Sequence, residues 1–422
     1  MKKQIPSIAE VSRRRFLKMA GSAGGAMLLG PNWLMAAEEV DPRVAKVVAN
    51  TIGIDTHNHI DVPLTAADVP GPDLDLAGEM QRSGVSAICA TFAVDYQKLG
   101  QPGVAYDRFL NALTSMDAQL ARNHMQRALN LKDLQAAHDH GQPTIVQAVE
   151  GGHFLEGKVE RVEVAYKRGL RLLCLLHDSD ASVPLGDIYT APAHLGGLTG
   201  FGADVIKECD RLGIVVDLTH ASADTVAAAL KVSTKPVLFS HTGLDTRLGS
   251  NERMGQMMRP RLISKEHAKT IADAGGVVGV WTHLVDSPAE YVQAVHDMIE
   301  AVGVDHVCIG TDTKLTPPYN SGRGPGPRPA DRPADGFNKG PSRSGGPGGG
   351  PGGGPRDPRN RPGGGRMGER TNQVWEDQKL GFYFVVVSEM VKLGFTDEQI
   401  GKVGGGNFCR LFDQVTASRS VR

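Results

Sequence analysis

From residue 51 onward, eight short runs rich in Val, Ile, Leu and Thr recur between longer amphipathic stretches, and this alternation constrains the fold more than any other feature. The runs are Thr51–Thr56, Val85–Phe92, Thr144–Val149, Leu170–Leu176, Ile214–Thr219, Pro236–Ser240, Gly276–Trp281 and His306–Thr311. Stretches such as IVVDL and VSAICATF are continuously apolar, the pattern of strands buried on both faces of a parallel sheet. Between the runs, Tyr106–Arg122, Gly202–Leu212, Ser222–Leu230, Ser264–Ala274 and Pro288–Val302 repeat apolar residues at helical spacing. Parallel strands require crossover connections, so the chain reads as consecutive βα units. Eight strands are what a closed (β/α)8 barrel of the α/β class needs. Trp375–Leu393 and Thr396–Gln414 read as two closing helices.

The 422 residues suit one barrel of ~250 residues with extensions. One segment breaks the rhythm. Pro317 to Arg370 is dominated by Gly, Pro and Arg, including GGPGGGPGGGP at Gly345–Pro355. It buries too little apolar surface to offset chain entropy, so a disordered, solvated insertion at about 317–370 is expected within a single barrel domain spanning 38–422. The net charge of −1 gives no global field for nucleic acid or an anionic membrane, and no nucleic-acid partner is expected.

The first residues read as an address. Ser12-Arg13-Arg14-Arg15-Phe16-Leu17-Lys18 follows the twin-arginine pattern, with a weakly apolar run at Met19–Leu29 and a small-residue exit at Met35-Ala36-Ala37. Residues 1–37 are therefore expected to be a signal peptide read by the twin-arginine export machinery, leaving the mature protein periplasmic or extracellular. The five cysteines show no C-x-x-C spacing, and Cys89, Cys174 and Cys308 lie inside strand-like runs. Buried, inert thiols without a disulfide framework are expected.

The ends of the apolar runs carry the chemistry. The first leads into Thr56-His57-Asn58-His59. Residues i and i+2 of an extended strand point the same way, ~6–7 Å apart, so His57 and His59 can chelate one ion. Glu150 follows the third run, His177 closes the fourth, His220 the fifth and His241 the sixth, and Asp312 follows the eighth. Any one of these alone is as well explained as a core histidine or a helix-capping acid, but six of eight strand ends together are not. His153, Asp178 and Asp217 suit supporting roles, and His124, His138, His140 and His267 are expected at the surface. Imidazoles and carboxylates without thiolates suit zinc, with manganese, cobalt or iron as alternatives. The expected site holds two divalent metal ions per chain, one on His57 and His59, the other on His220 and His241, with Glu150 bridging. Ions ~3.5–4 Å apart can share a hydroxide and polarise a carbonyl, and Asp312 would carry a proton to the leaving amine. The expected reaction is metal-assisted hydrolysis of an amide-like bond.

These residues resemble the membrane (renal) dipeptidase family of zinc metallopeptidases from about Ile54 to Phe412, with the Gly/Pro-rich segment interrupting. The resemblance is carried by AVEGGHFLEG at Ala148–Gly157, RLLCLLHDSD at Arg171–Asp180 and GGLTGFGADVIKECDRLGIVVDLTHAS at Gly196–Ser222. VLFSHT at Val237–Thr242 and GGGNFCRLF at Gly404–Phe412 add to it. It implies a distorted (β/α)8 barrel of the metal-dependent hydrolase type, two zinc ions, a dipeptide substrate and a homodimer. It also implies His57 on one ion, His220 and His241 on the other, and Glu150 between them. His177 would bind substrate and help polarise the scissile carbonyl, and Asp312 matches the acid of the G-[ST]-D motif. An arginine after the sixth strand, Arg261 with Arg259 and Arg253 as alternatives, would grip the substrate carboxylate. The chain departs from the family pattern twice: His59 stands where H-x-D is usual, and Lys314 takes the place of a second acid after Asp312. Two alternatives stay open, an amidohydrolase acting on a lactone, N-acyl amino acid or phosphoester, and a degenerate binding protein on the same scaffold. The lactone and phosphoester enzymes typically bridge their metals with a carboxylated lysine on strand four, where this chain has His177.

Overall fold

The computed structural model describes residues 40–96, 99–319, 369–376 and 378–417. The expected signal peptide and positions 320–368 of the expected insertion lie outside the described residues. In chain order the first half comprises α1 (Pro42–Asn50), β1 (Ile54–His59), α2 (Leu76–Ser83), β2 (Ala87–Ala93), α3 (Val104–Arg122), α4 (Leu131–Asp139), β3 (Thr144–Glu150), α5 (Glu160–Lys167) and β4 (Leu170–Cys174). It continues with α6 (Gly200–Leu212), β5 (Val215–Asp217), α7 (Ala223–Val232), β6 (Leu238–Thr242), α8 (Glu252–Met258), α9 (Lys265–Asp273), β7 (Val277–Val280), α10 (Pro288–Val302) and β8 (Val307–Ile309). A two-residue β9 (Thr313–Lys314) precedes the insertion, and α11 (Phe382–Lys392), α12 (Asp397–Gly401) and α13 (Asn407–Thr416) follow it.

Local sequence explains where the helices start. The side chains of Asp75, Thr199, Ser222, Ser264 and Ser287 each accept a hydrogen bond from a first-turn N–H of α2, α6, α7, α9 and α10. The two closing helices differ from the sequence expectation. The first begins at Phe382, because the Gln378 side chain accepts from Trp375 N and donates to Thr371 O, holding the preceding residues in turns. The second is interrupted by a π-type turn over Lys402–Gly406, which separates α12 from α13.

The strands pair in parallel in the order β2-β3-β4-β5-β6-β7-β8-β1, and β1 also pairs with β2, which closes the expected (β/α)8 barrel. Inside its lower end, Ile54, Cys89, Val146, Leu172, Val215, Leu238, Val277 and Cys308 form one apolar layer. Phe408, Leu411, Phe412 and Val415 of α13 join the same layer, so α13 stoppers the barrel and leaves only the opposite end for polar groups. A separate core fills the space between strands and outer helices. Cys89, Cys174, Cys209 and Cys308 are buried and all five cysteines are free.

The waist of the barrel is unusually tight. Thr56 Oγ1 lies 2.9 Å from both the Ser240 and Ile309 carbonyl oxygens. A Cβ added at Gly279 or at Gly310 would lie 1.8 Å from Ser240 O, so only glycine fits at either position. This close approach fixes β6, β7 and β8 around β1 directly beneath the polar end.

β9 extends the sheet beside β1, with Asn58 opposite Thr313 and His59 opposite Lys314. Lys314 also bridges Arg370, so the two sides of the insertion lie together next to β1. Arg370 is held there by an ion pair with Glu79 (2.5 Å), and the Asn58 amide donates to Thr371 Oγ1 at 2.8 Å.

Candidate metal centre

The barrel's open end gathers the expected ligands from separate strands. His57 and His59 lie within β1 on the same side, and their Nε2 atoms are 3.2 Å apart. Glu150 is the last residue of β3, and His241 lies in β6. His177, His220 and Asp312 each come three residues after the end of β4, β5 and β8. His220 and Asp312 have φ of 70° and 56°, a left-handed conformation that non-glycine residues rarely adopt and that turns their side chains over the barrel mouth.

Glu150 is the hub. Its Oε1 lies 2.9 Å from His220 Nε2, 3.5 Å from His57 Nε2 and 3.7 Å from His241 Nε2. Its Oε2 lies 3.3 Å from His177 Nε2 and 3.7 Å from His59 Nε2. The donor atoms group as His57–Glu150–His241, His57–His59–Asp312 and Glu150–His177–His220, each within 4.8 Å. The residues expected from sequence therefore converge, with a partition that differs from the expected one in three respects. His57 lies near His241 as well as His59, Asp312 joins His57 and His59, and His177 joins His220 on Glu150.

Supporting groups fix the orientation of these rings. Ser240 Oγ lies 3.2 Å from His57 Nδ1 and 3.0 Å from His241 Nδ1. One hydroxyl can accept from both Nδ1–H groups, which leaves each Nε2 with a lone pair directed into the cavity. Asp217 Oδ1 accepts from the N–H groups of Thr219 and Ser240 and holds β5 and β6 in step. Asp178 reaches both His220 Nδ1 (3.3 Å) and the Arg261 guanidinium (2.5 Å), which ties the expected carboxylate-binding arginine to a candidate ligand histidine. Arg261 sits in the short turn after α8 and is partly buried, whereas Arg253 and Arg259 are exposed. His153 is buried, with Nε2 3.0 Å from Ser179 O. His267 is not a surface residue: it is half-buried, its ring edge-on to Phe239 at 5.8 Å. His138 is likewise half-buried, 2.9 Å from Ser86 Oγ.

Two strand ends left out of the sequence reading also contribute. After β2, Asp95 accepts from His177 Nδ1 at 2.7 Å and from Ser179 Oγ at 2.7 Å. The adjacent Tyr96 is exposed at the rim, its hydroxyl 3.4 Å from His59 Nδ1. After β7, His283 Nε2 lies 2.8 Å from Asp312 Oδ2, while Asp312 Oδ1 lies 3.1 Å from His59 Nε2. His283 follows β7 by three residues, the offset of His177, His220 and Asp312 from their strands, but it does not directly follow the seventh sequence run as they follow theirs, so no signal in the sequence marked it.

The electrostatics suit a cation. Burial alone would raise the Glu150 carboxyl, but His177, His57 and His220 outweigh it and hold the group well below the usual carboxylate range. Burial and then His241 keep His57 well below an ordinary histidine. Burial opposes protonation of His220 as well, but hydrogen bonds to Asp178 and Glu150 push it up to about 10. Glu150 Oε2, fully buried, has no hydrogen-bond donor although three rings surround the carboxylate closely. A buried acceptor so placed is costly unless a further positive group meets it. Converging nitrogens that face one another across 3.2 Å, a carboxylate with one orphaned oxygen and no thiolate fit a divalent metal ion.

Known proteins share this fold. Residues 42–320 match the model of the membrane dipeptidase family (peptidase family M19). Among solved structures, an amidohydrolase from Pseudomonas aeruginosa superposes with a TM-score of 0.66 at 21% identity, covering 89% of this chain and 99% of its own. The probable dipeptidase PvdM from the same organism gives 0.63 at 17% identity, with 89% and 100% coverage. A metallopeptidase from Rhodobacter sphaeroides, liganded with a phosphinate mimic of the dipeptide L-Ala-D-Ala, gives 0.56 at 16% identity, with 86% and 99% coverage. At these identities the structures speak for the shared fold, and the family match assigns the chain. With its barrel, its clustered candidate metal ligands and a match over residues 42–320, the chain belongs to the membrane dipeptidase family and is a metal-dependent hydrolase of the dipeptidase type.

Proposed function

We propose that this chain cleaves the peptide bond of dipeptides or closely related small amides, using two divalent ions, zinc by their donor set, on His57, His59, Glu150, His220 and His241. The observation that carries the reading is the convergence of five imidazole nitrogens within 3.7 Å of the Glu150 carboxylate. When bound, such ions supply hydroxide at neutral pH and Lewis acidity toward a carbonyl oxygen. The protein's own groups do the remainder. Asp95 holds the His177 ring through Nδ1, so that Nε2 meets the scissile carbonyl oxygen in the cavity. Arg261, with Asp178 on one side of its fork, grips the substrate's terminal carboxylate with the rest, which favours short peptides over long chains. Asp312 accepts a proton from the attacking water and returns it to the departing amine nitrogen.

Metal analysis of the purified, metal-replete protein should give two ions per chain, and Glu150→Gln and Asp312→Asn should abolish turnover. The substrate test is a panel of L,L- and L,D-dipeptides, N-acyl amino acids and β-lactams, with lactones and phosphoesters as contrasts. One ion or none, or turnover confined to lactones or phosphoesters, would overturn the reading. The Ser12–Lys18 motif further supports twin-arginine export to the periplasm. Fractionation of cells expressing the wild type and Arg13→Lys/Arg14→Lys tests it, and export of both chains alike would argue against that route.

A further inference from the structure

The reaction above assigns the proton to Asp312, and the structure holds its two oxygens by different means. Oδ1 lies 3.1 Å from His59 Nε2, and Oδ2 lies 2.8 Å from His283 Nε2. The main chain there is already fixed: Asp312 N donates to His57 O at 3.0 Å, and Thr311 N and Oγ1 donate to Asp55 at 2.9 and 2.6 Å. What remains free is rotation of the carboxylate about its own side-chain bonds. The His59 contact cannot set that rotation by itself. Its Nε2 also faces His57 Nε2 at 3.2 Å and Glu150 Oε2 at 3.7 Å, so an ion on His59 takes that nitrogen's lone pair.

His283 has no such competing role. Among the described residues, no metal-competent group includes it. It is 4% exposed, and its ring stands edge-on to Trp281 with centroids 5.0 Å apart, which fixes the plane from which Nε2 reaches Asp312. We propose that His283 is a positioning residue: its Nε2–H donates to Asp312 Oδ2 and so presents Oδ1 to the reacting water and the leaving nitrogen. The inference rests on the reading of Asp312 as the proton-handling group. The chemistry balances without any proton change on His283. Oδ1 gains a proton when water is deprotonated and loses it when the amine departs, while Oδ2 remains an acceptor for the imidazole N–H in both states.

A pair that served folding alone would register in melting temperature and leave kcat untouched, so the test separates the two. For His283→Leu, kcat on the best dipeptide should fall about 10²-fold, the penalty typical of a misplaced reacting group, with metal content unchanged. KM should stay within about twofold, because substrate contacts are untouched. His283→Gln, whose amide N–H donates from nearly the same place, should recover kcat to within about fivefold of wild type. The double variant His283→Leu/Asp312→Asn should be no slower than Asp312→Asn alone. In metal-free protein labelled with 15N-histidine, a downfield imidazole N–H proton signal should vanish in both His283→Gln and Asp312→Asn.

Wild-type kcat in His283→Leu beside an inactive Asp312→Asn would sink this inference and spare the reading of Asp312. Wild-type kcat in Asp312→Asn would sink both. A loss in His283→Leu that tracks lost metal, or that His283→Gln fails to relieve, would also overturn the positioning role.

Discussion

Replacing Gly310 by Ala tests one of the two closest approaches at the barrel's waist. The added Cβ would lie 1.8 Å from Ser240 O, so the gap must widen by about 1.6 Å to reach ordinary contact at 3.4 Å. Neither side can yield cheaply. Ser240 is pinned through its N–H to Asp217 Oδ1 (3.1 Å) and Thr219 Oγ1 (2.7 Å), and its carbonyl receives Thr56 Oγ1 at 2.9 Å. Overpacking a core typically costs ~1–3 kcal/mol when side chains can move, and here the obstacle is main chain, so a cost of about 3 kcal/mol or more is expected. At ~2–4 °C per kcal/mol for a large domain, the melting temperature should fall by about 6–12 °C. The same strain reaches the metal centre, because His241 directly follows Ser240 and Asp312 lies two residues past Gly310. Metal–ligand distances tolerate only ~0.2 Å, so a displacement on the ångström scale should lower metal content as well. Calorimetry and metal analysis on the same preparation read both effects. Gly200→Ala, where an added Cβ meets nothing within 4 Å, is the control. A Gly310→Ala protein with wild-type melting temperature and full metal content would refute the tight-waist argument.

Two further outcomes follow from named contacts. Arg261→Ala should reduce kcat/KM on dipeptides about 10²-fold, mostly through KM, as loss of a partly buried charge pair implies. Dipeptide amides, which lack the carboxylate, should be nearly indifferent; an equal loss on both substrates would show that Arg261 acts only through Asp178. Asp187 accepts from the N–H groups of His194, Leu195 and Gly197 at 2.8, 2.9 and 2.7 Å, bracing the loop that stacks Tyr189 on His220. These bonds, the one from His194 N first, lower the Asp187 carboxyl below its usual value, so its contribution to stability is present above the unfolded value and lost as pH falls through the folded one. Asp187→Asn should therefore melt lower than wild type at pH 7, and the difference should close below about pH 4. A gap of constant size down to pH 3 would contradict the charge-assisted account.

The barrel was legible because strands buried on both faces cannot alternate polar and apolar residues, so most strands announced themselves as apolar runs; the largely polar β1, Ile54–His59, was found only through the run that leads into it. The lengths of the strands were not legible. The run Ile214–Thr219 holds a three-residue β5, and His306–Thr311 holds a three-residue β8, because the chain turns out of the sheet toward His220 and Asp312. Ligands at the very ends of runs were found for the same reason that strands were. His283 was hidden because the seventh run reads on through Trp281, whereas the strand itself stops at Val280. Asp95 was hidden because the second run closes at Phe92, three residues before it, whereas β2 reaches Ala93. Neither residue is marked by residue type alone. Their roles come from what lies across the barrel mouth, His177 for one and Asp312 for the other, and such contacts are not encoded in local spacing.

The two departures from the family pattern, separate in the sequence, meet in the structure. His59 and Lys314 are register partners across β1 and β9. The Lys314 ammonium turns to Asp61, 2.5 Å away, so the charge where the family has an acid is met by a carboxylate two residues beyond His59. The carboxylate missing from position 59 has no such replacement. Among the described residues, the acids that pair with His59 are Glu150 and Asp312, at 3.7 and 3.1 Å. Glu150 already serves four other imidazoles, so Asp312 supplies the nearer negative charge that the imidazole at position 59 lacks. A carboxylate drawn toward one ring through Oδ1 would turn with that ring. The grip of His283 on Oδ2 opposes that turning and holds the Asp312 carboxylate when the His59 nitrogen is given over to an ion.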